Sequence, residues 1–219
     1  MTSAPFAPTD APEVRAPEII RRLTTAYPGA TVALRASTPL EMLVATILSA
    51  QCTDERVNSV TEALFVKYRS PQDYLDVPEE ELAVDIKPTG FFNQKTRSIR
   101  GAARRIVDEY GGEVPSSMDE LITLPGVARK TANIVLGNSF GTVVGIAVDT
   151  HVRRVSQRLA LTTHDDPDKV EADLMRLVPK RRWFPFTYTL IEHGRAVCVA
   201  RKPRCEMCPV NDLCPSSRV

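Results

Sequence analysis

The feature that most constrains this chain is the spacing of its apolar residues, which return every three or four positions along nearly its whole length. That spacing lines one face of an α-helix, whereas a half-buried strand alternates. The stretch TPLEMLVATILSA (38–50) shows it: Leu40, Leu43, Val44, Ile47 and Leu48 keep helical spacing. Thr38 offers an N-cap and Pro39 suits the first helical position. The segment is apolar almost all round, which predicts a buried helix. Amphipathic patterns predict further helices over 54–68, 93–110, 128–140, 150–161, 167–178 and 185–200, the second of these ended by Gly111-Gly112. SMDELITL (117–124) opens with Ser117-x-x-Glu120, a capping-box pattern. Only TVVGIAV (142–148) has strand character, and one short run has nothing to pair with. It is expected to be a buried extended connector, leaving an all-α chain.

With 219 residues, 43% hydrophobic and 25% charged, the chain can bury a full core as one domain or two small ones. No apolar run approaches the length of a membrane span. The N-terminal MTSAPFAPTDAPEV has neither the basic nor the apolar region of a signal peptide. Its Pro, Ala and Thr content predicts a disordered leader over 1–16. These features place the protein in the cytoplasm, where thiols stay reduced. The net charge of +1 conceals an asymmetry: residues 1–92 carry 8 Lys/Arg against 13 Asp/Glu, and residues 93–219 carry 20 against 14. A basic second half can present a face to a polyanion.

Four of the five cysteines crowd into 198–214, spaced Cys198-x6-Cys205-x2-Cys208-x5-Cys214. Clustered thiolates in a reducing compartment are metal ligands more often than disulfides. Soft sulfur suits zinc or iron–sulfur. Zinc favours two close pairs, and only one gap here is short. The longer outer gaps favour a cubane whose irons each take one thiolate, with zinc as the alternative. Cys52, in SAQCTD, reads as a small core residue.

LPGVARKTANIVL (124–136) reads as a helix end, a Pro-Gly turn and a new helix, which with 117–124 makes a helix–hairpin–helix. The unpaired amides of such a turn and of the following helix start form a phosphate site that reads no base sequence. Lys130 falls in that first turn. The positive helix end and neighbouring Arg129 both disfavour an ammonium there, as an amine nucleophile requires. The alternative is a solvated lysine paired with a phosphate. Asp149, in AVDTHVRRV, stands just before a helix. It is either a plain N-cap or a carboxylate aimed at a substrate, and one residue can be both.

Together LSAQCTD, LPGVARKTANIVL, AVDTHVRRV and HGRAVCVARKPRCEMCPVNDLC resemble the endonuclease III family of helix–hairpin–helix DNA glycosylases, over about residues 17–215. The resemblance implies two helical domains with the active site in the cleft between them. One is a six-helix barrel (37–144) carrying the hairpin. The other (17–36 and 145–219) holds a [4Fe–4S] cluster on Cys198, Cys205, Cys208 and Cys214. It implies Lys130 as nucleophile and Asp149 as essential carboxylate. Gln51 is expected to fill the gap left by an extruded nucleotide, and Phe91 to wedge near the opposite strand. Asn93, Lys95, Gly126, Ala128, Arg129, His151, Arg201 and Lys202 complete the expected DNA contacts. The implied activity is excision of oxidised pyrimidines from damaged double-stranded DNA, with nicking at the abasic site, by a nucleoid-associated monomer. Two departures stand out: Ala128 replaces the hairpin's usual second glycine, and Phe91-Phe92 replaces a more usual Leu-Tyr pair. Other readings are a monofunctional adenine glycosylase of the same superfamily, a non-catalytic DNA-binding module and a zinc-binding regulator. Lys130 and the end at Val219 speak against the first.

Overall fold

A computed structural model describes residues 6–219. Among them are eleven α-helices and no strand: α1 (Pro12–Ala26), α2 (Pro39–Leu48), α3 (Asp54–Lys67), α4 (Asp73–Asp76), α5 (Glu79–Ile86), α6 (Phe92–Tyr110), α7 (Met118–Leu121), α8 (Arg129–Ser139), α9 (Thr150–Arg158), α10 (Pro167–Leu177) and α11 (Trp183–Ala196). Short 3-10 turns occur at Lys87–Thr89, Lys180–Arg182, Cys205–Met207 and Asn211–Leu213. None of the helices is long and apolar enough to cross a membrane.

Helix starts follow local chemistry. The Thr38 side chain accepts from the Glu41 amide at 3.1 Å, with Pro39 in the first turn. Ser117 accepts from the Glu120 amide at 3.3 Å. The capping box is incomplete, because the Ser117 hydroxyl donates to the Glu120 carboxylate at 2.6 Å. Helix α7 is one turn, Met118–Leu121, shorter than its pattern predicts. The run 142–148 has no regular structure, and its second half, 145–148, is buried.

The expected leader over 1–16 is corrected: α1 starts at Pro12, and Arg15 and Ala16 are buried. Residues 1–5 of that leader lie outside the described residues. The physical reason is Arg15. Its guanidinium donates to the carbonyls of Leu159 and Leu213, each at 2.8 Å, and to that of Asp10 at 2.8 Å. Phe6 also packs against the core of its unit.

The chain divides into two units, 1–31 with 145–219, and 32–144. The crossing at 31/32 lies earlier than the expected boundary after 36. Leu34 is buried in the core of the second unit with Val32 and Ala36 against it, and Asn58 of α3 bonds the Arg35 amide and the Ala33 carbonyl, each at 2.9 Å. In the 32–144 unit, α2 is the central element. Residues 42–48 are all buried, and α2 packs on α8, α3 and α6. In the other unit α11 packs on α9 and α1, around Ile19, Leu23, Val152, Val155, Phe186 and Leu190. Gly194 permits that closeness, since a Cβ there would stand 3.1 Å from the His151 Cβ.

Candidate active site and metal centre

In the 32–144 unit the hairpin is a type II turn. Val127 donates to the Leu124 carbonyl at 3.1 Å, Pro125 and Gly126 fill the centre, and Gly126 has φ 80°. The turn rests on α6. A Cβ on Gly101 would lie 3.0 Å from the Pro125 ring, and one on Gly126 would lie 2.6 Å from the Ser98 Cβ. Both glycines are thus required by close approach. Ala128 is the N-cap of α8, with φ −91°, ψ 171° and no capping side-chain bond. That backbone suits any residue, so alanine costs the hairpin no strain where the family usually has glycine. Exposed Gly126 and Ala128 lead into half-buried Arg129 and Lys130, in an α8 first turn that has no side-chain cap. Amides so left are ready anion ligands.

Two other turns of this unit hold non-glycine residues at positive φ. Gln51 (φ 52°) follows α2, and Phe91 (φ 48°) caps α6. Each such residue costs about 1–3 kcal/mol and persists where the surroundings enforce it. Gln51, Phe91 and Asn93 are exposed, Phe91 at 60%. Lys95 corrects the expectation of a DNA contact. It is only 4% exposed, and its Nζ is 2.8 Å from each of the Leu48 and Thr89 carbonyl oxygens. The side chain turns inward because the last carbonyls of α2 and of the 87–89 turn lack helical partners there.

In the unit formed by 1–31 and 145–219, Asp149 caps α9. Its Oδ1 accepts from the His151 and Val152 amides, each at 2.8 Å, and its Oδ2 lies 3.0 Å from His151 Nδ1. Two amides and the positive helix end stabilise a carboxylate anion there.

The thiols of Cys198, Cys205, Cys208 and Cys214 line one pocket with Arg158 and His193. Among the described residues no three His, Cys, Asp or Glu side chains close on a point that could hold a single metal ion. Four cysteines lining one pocket supply the four-thiolate donor set that an iron–sulfur cluster takes. Burial pushes the Cys208 thiol up to about 11 and raises that of Cys214, so thiolates here need the positive charge that a metal supplies. Helix α11 stops at Ala196, short of the predicted 200, and the Cys198 amide bonds the His193 carbonyl at 2.8 Å. The loop after it is closed by Arg204 N–H on the Val197 carbonyl at 3.0 Å. Arg201 and Lys202 are exposed on this loop, Lys202 at φ 55°.

Several residues of these sites are not singled out from the sequence. Arg158 donates to the Cys198 Sγ at 3.3 Å and to the Val199 and Ala200 carbonyls at 2.8 and 2.9 Å. Arg154 holds the Cys198 and Gly194 carbonyls at 3.2 and 2.9 Å. Buried His193 sits 3.6 Å from the Cys208 Sγ through Nε2 and 3.0 Å from the Tyr27 hydroxyl through Nδ1. Burial pushes its pKa down to about 4. The basic run VRRVSQR could have raised Arg154 and Arg158 as candidates. Their place on one face of α9, toward the cysteine loop, depends on packing.

Comparisons with known proteins agree with this geometry. Residues 44–180 match the HhH-GPD superfamily of base excision DNA repair proteins, and residues 198–214 match the iron–sulfur binding domain of endonuclease III. The chain is 54% identical to endonuclease III of Synechocystis sp. over 93% of both chains, and 51% identical to that of Bacillus subtilis over 86% of both. Its fold is similar, with a TM-score of 0.90 and 44% identity, to that of a trapped endonuclease III–DNA covalent intermediate, covering 94% of this chain and 96% of that one. The hairpin, the four-thiol pocket and these likenesses converge: the chain belongs to the endonuclease III family of helix–hairpin–helix, iron–sulfur DNA repair enzymes.

Proposed function

We propose that this base-excision DNA glycosylase and abasic-site lyase works through Lys130 as nucleophile and Asp149 as the essential carboxylate, on oxidised pyrimidines in duplex DNA. The observation that carries this reading is the place of Lys130, in the first turn of α8 directly after the type II turn. Phosphate held on the uncapped amides brings the sugar of the damaged nucleotide to the amine. The extruded base costs a few kcal/mol to unstack, least where the lesion has already weakened pairing. The Lys130 amine forms a bond to C1′ through its nitrogen lone pair as the glycosidic bond breaks and the base leaves with the electron pair. Asp149, anionic between its amides, stabilises the positive charge that develops on the sugar. The C1′–O4′ bond then opens, its electron pair and the proton shed by the attacking amine going to O4′, and the resulting iminium makes the 2′ proton acidic. Its loss expels the 3′ phosphate and nicks the strand. Gln51 fills the gap, Phe91 wedges at the opposite strand, and Asn93, Gly126, Ala128, Arg129, His151, Arg201 and Lys202 meet the backbone.

Cys198, Cys205, Cys208 and Cys214 hold the [4Fe–4S] cluster, whose role when bound is to cross-link the C-terminal loop. Arg158 donates to the Cys198 Sγ and His193 lies beside the Cys208 Sγ, and Arg201 and Lys202 would project from the closed loop toward phosphate. The enzyme acts as a monomer at the nucleoid, where its substrate is.

Borohydride trapping on abasic duplex tests the reading. The wild-type chain should become covalently attached, and Lys130→Gln should bind DNA without attachment. Trapping that survives this substitution moves the nucleophile elsewhere. Nicking of duplexes bearing thymine glycol, 5-hydroxycytosine or 8-oxoguanine tests the substrate class: cleavage of the first two above the third is expected, and the reverse order refutes the pyrimidine preference.

A further inference from the structure

The Gln51 and Phe91 turns are far apart in sequence, and one buried side chain joins them. Leu48 is the last residue of α2, just before the Gln51 turn, and Thr89 ends the 3-10 turn just before Gly90 and Phe91. The Lys95 Nζ bonds both carbonyls at 2.8 Å. The Lys95 amide also donates to the Phe91 carbonyl at 3.1 Å. One residue therefore grips the Phe91 turn from two sides and the end of α2 from a third.

An ammonium suits this place. Carbonyls that end a helix lack partners and carry the negative end of its dipole, and a lysine head offers three donors that can point at separate acceptors. Burial lowers the Lys95 pKa, with Cys52 acting in the opposite direction. A neutral amine still has two N–H groups, so the bonds do not depend on the charge. At 4% exposure the side chain has no path to a phosphate.

We propose that Lys95 is a positioning residue that locks the Gln51 turn and the Phe91 turn into one rigid unit, so that both side chains enter the DNA in fixed register when a lesion is extruded. The inference rests on Gln51 as gap filler and Phe91 as wedge. Two groups that insert at one site must keep their spacing. Turns that fluctuate independently would each have to be ordered on binding, and that ordering weakens the encounter. The positive φ at both positions is held because a shared tie over-determines the backbone.

Lys95→Met keeps the apolar stem and removes the donors. Amide hydrogen exchange reads the tie directly. Exchange at Ala50, Cys52, Gly90 and Gln94 should quicken together in both turns, while Val127 in the hairpin keeps its wild-type rate. Single-turnover excision reads the consequence. The rate on a lesion opposite a base should fall roughly tenfold, and the rate on the same lesion left unpaired less than about twofold, as expected when reacting groups are misplaced rather than removed. Gln51→Ala and Phe91→Ala should lower the same paired-to-unpaired ratio, and each should add less than its full effect on top of Lys95→Met. A lysine that only stabilises the fold would lower the melting temperature and leave that ratio unchanged. Should the methionine variant not fold, Lys95→Gln takes its place in every comparison. Wild-type exchange in either turn, or a wild-type ratio in the Lys95 variant, overturns the inference. If the two alanine variants leave the ratio unchanged, the insertion reading has failed and takes this inference with it. If they lower it and Lys95→Met does not, only the tie has failed.

Discussion

Gly126→Ala isolates the two demands the hairpin makes on its glycine. The residue sits at φ 80°, where an L side chain costs about 1–2 kcal/mol. Its new Cβ would stand 2.6 Å from the Ser98 Cβ and 2.8 Å from the Ser98 Oγ. The Oγ can rotate away but the Cβ is fixed to the helix backbone, so turn and α6 must separate, an overpacking cost of about 1–3 kcal/mol. The sum is about 2–5 kcal/mol, and at about 2–4 °C per kcal/mol for a chain of this size the melting temperature should fall by about 4–20 °C. Ser98→Gly removes both clashing atoms and by itself costs about 0.5 kcal/mol as a glycine in a helix. The double variant should therefore recover the overpacking share, about 1–3 kcal/mol, and keep the backbone share. Far-UV circular dichroism of the four proteins, melted at one scan rate, measures both terms. A Gly126→Ala protein melting within about 1 °C of wild type would refute the whole estimate, far below the 2–4 °C that even 1 kcal/mol moves. A double variant no better than the additive expectation would refute the contact with Ser98 and leave only the φ term.

Asp149→Asn keeps an oxygen for the His151 and Val152 amides, so melting should change little while turnover falls about 100-fold or more, as for loss of a transition-state stabiliser; a rate that falls only in step with stability would make Asp149 a cap and nothing more. Lys202→Ala should leave trapping intact and flatten the log–log salt dependence of DNA binding by roughly 0.9, one phosphate's worth. An unchanged slope would put the exposed loop off the DNA. Cys205→Ala should lose the yellow-brown colour, the iron and the sulfide together, along with much of the soluble protein. Iron retained in that variant would remove Cys205 from the ligand set. Glu18 is held near pKa 2 by hydrogen bonds from Arg21 and then Arg22, against a usual 4.5. Its contribution is present above pH 4.5 and lost as pH falls toward 2. Glu18→Gln should thus be less stable than wild type at neutral pH and equal to it near pH 2, as chemical denaturation across that range would show.

What could be read from the chain alone is what neighbouring residues decide between themselves. Thr38, Ser117 and Asp149 bond amides two or three positions ahead, so the helix starts they mark are written in the local order of residues. The hairpin is legible for the same reason: Pro-Gly dictates a type II turn whatever surrounds it. The cysteine spacing likewise announces a metal centre, because four thiols in one short loop have few other uses. Gly101 had no such signal. Its meaning lies in Pro125, which only packing brings beside it.

Tertiary structure decided the fate of the long cations. Arg15 fell within the expected disordered leader, yet its partners are the carbonyls of Leu159 and Leu213, 144 and 198 residues further along the chain. Lys95 was among the expected DNA contacts, yet it closes on Leu48 and Thr89. Arg158 could as well have faced solvent, and instead it supports the Cys198 loop. A lysine or arginine has the same local pattern whether its head meets water, a phosphate or a buried carbonyl. The choice depends on which unpaired helix ends the fold sets within reach of its flexible stem. That is a long-range property, and no window of sequence contains it.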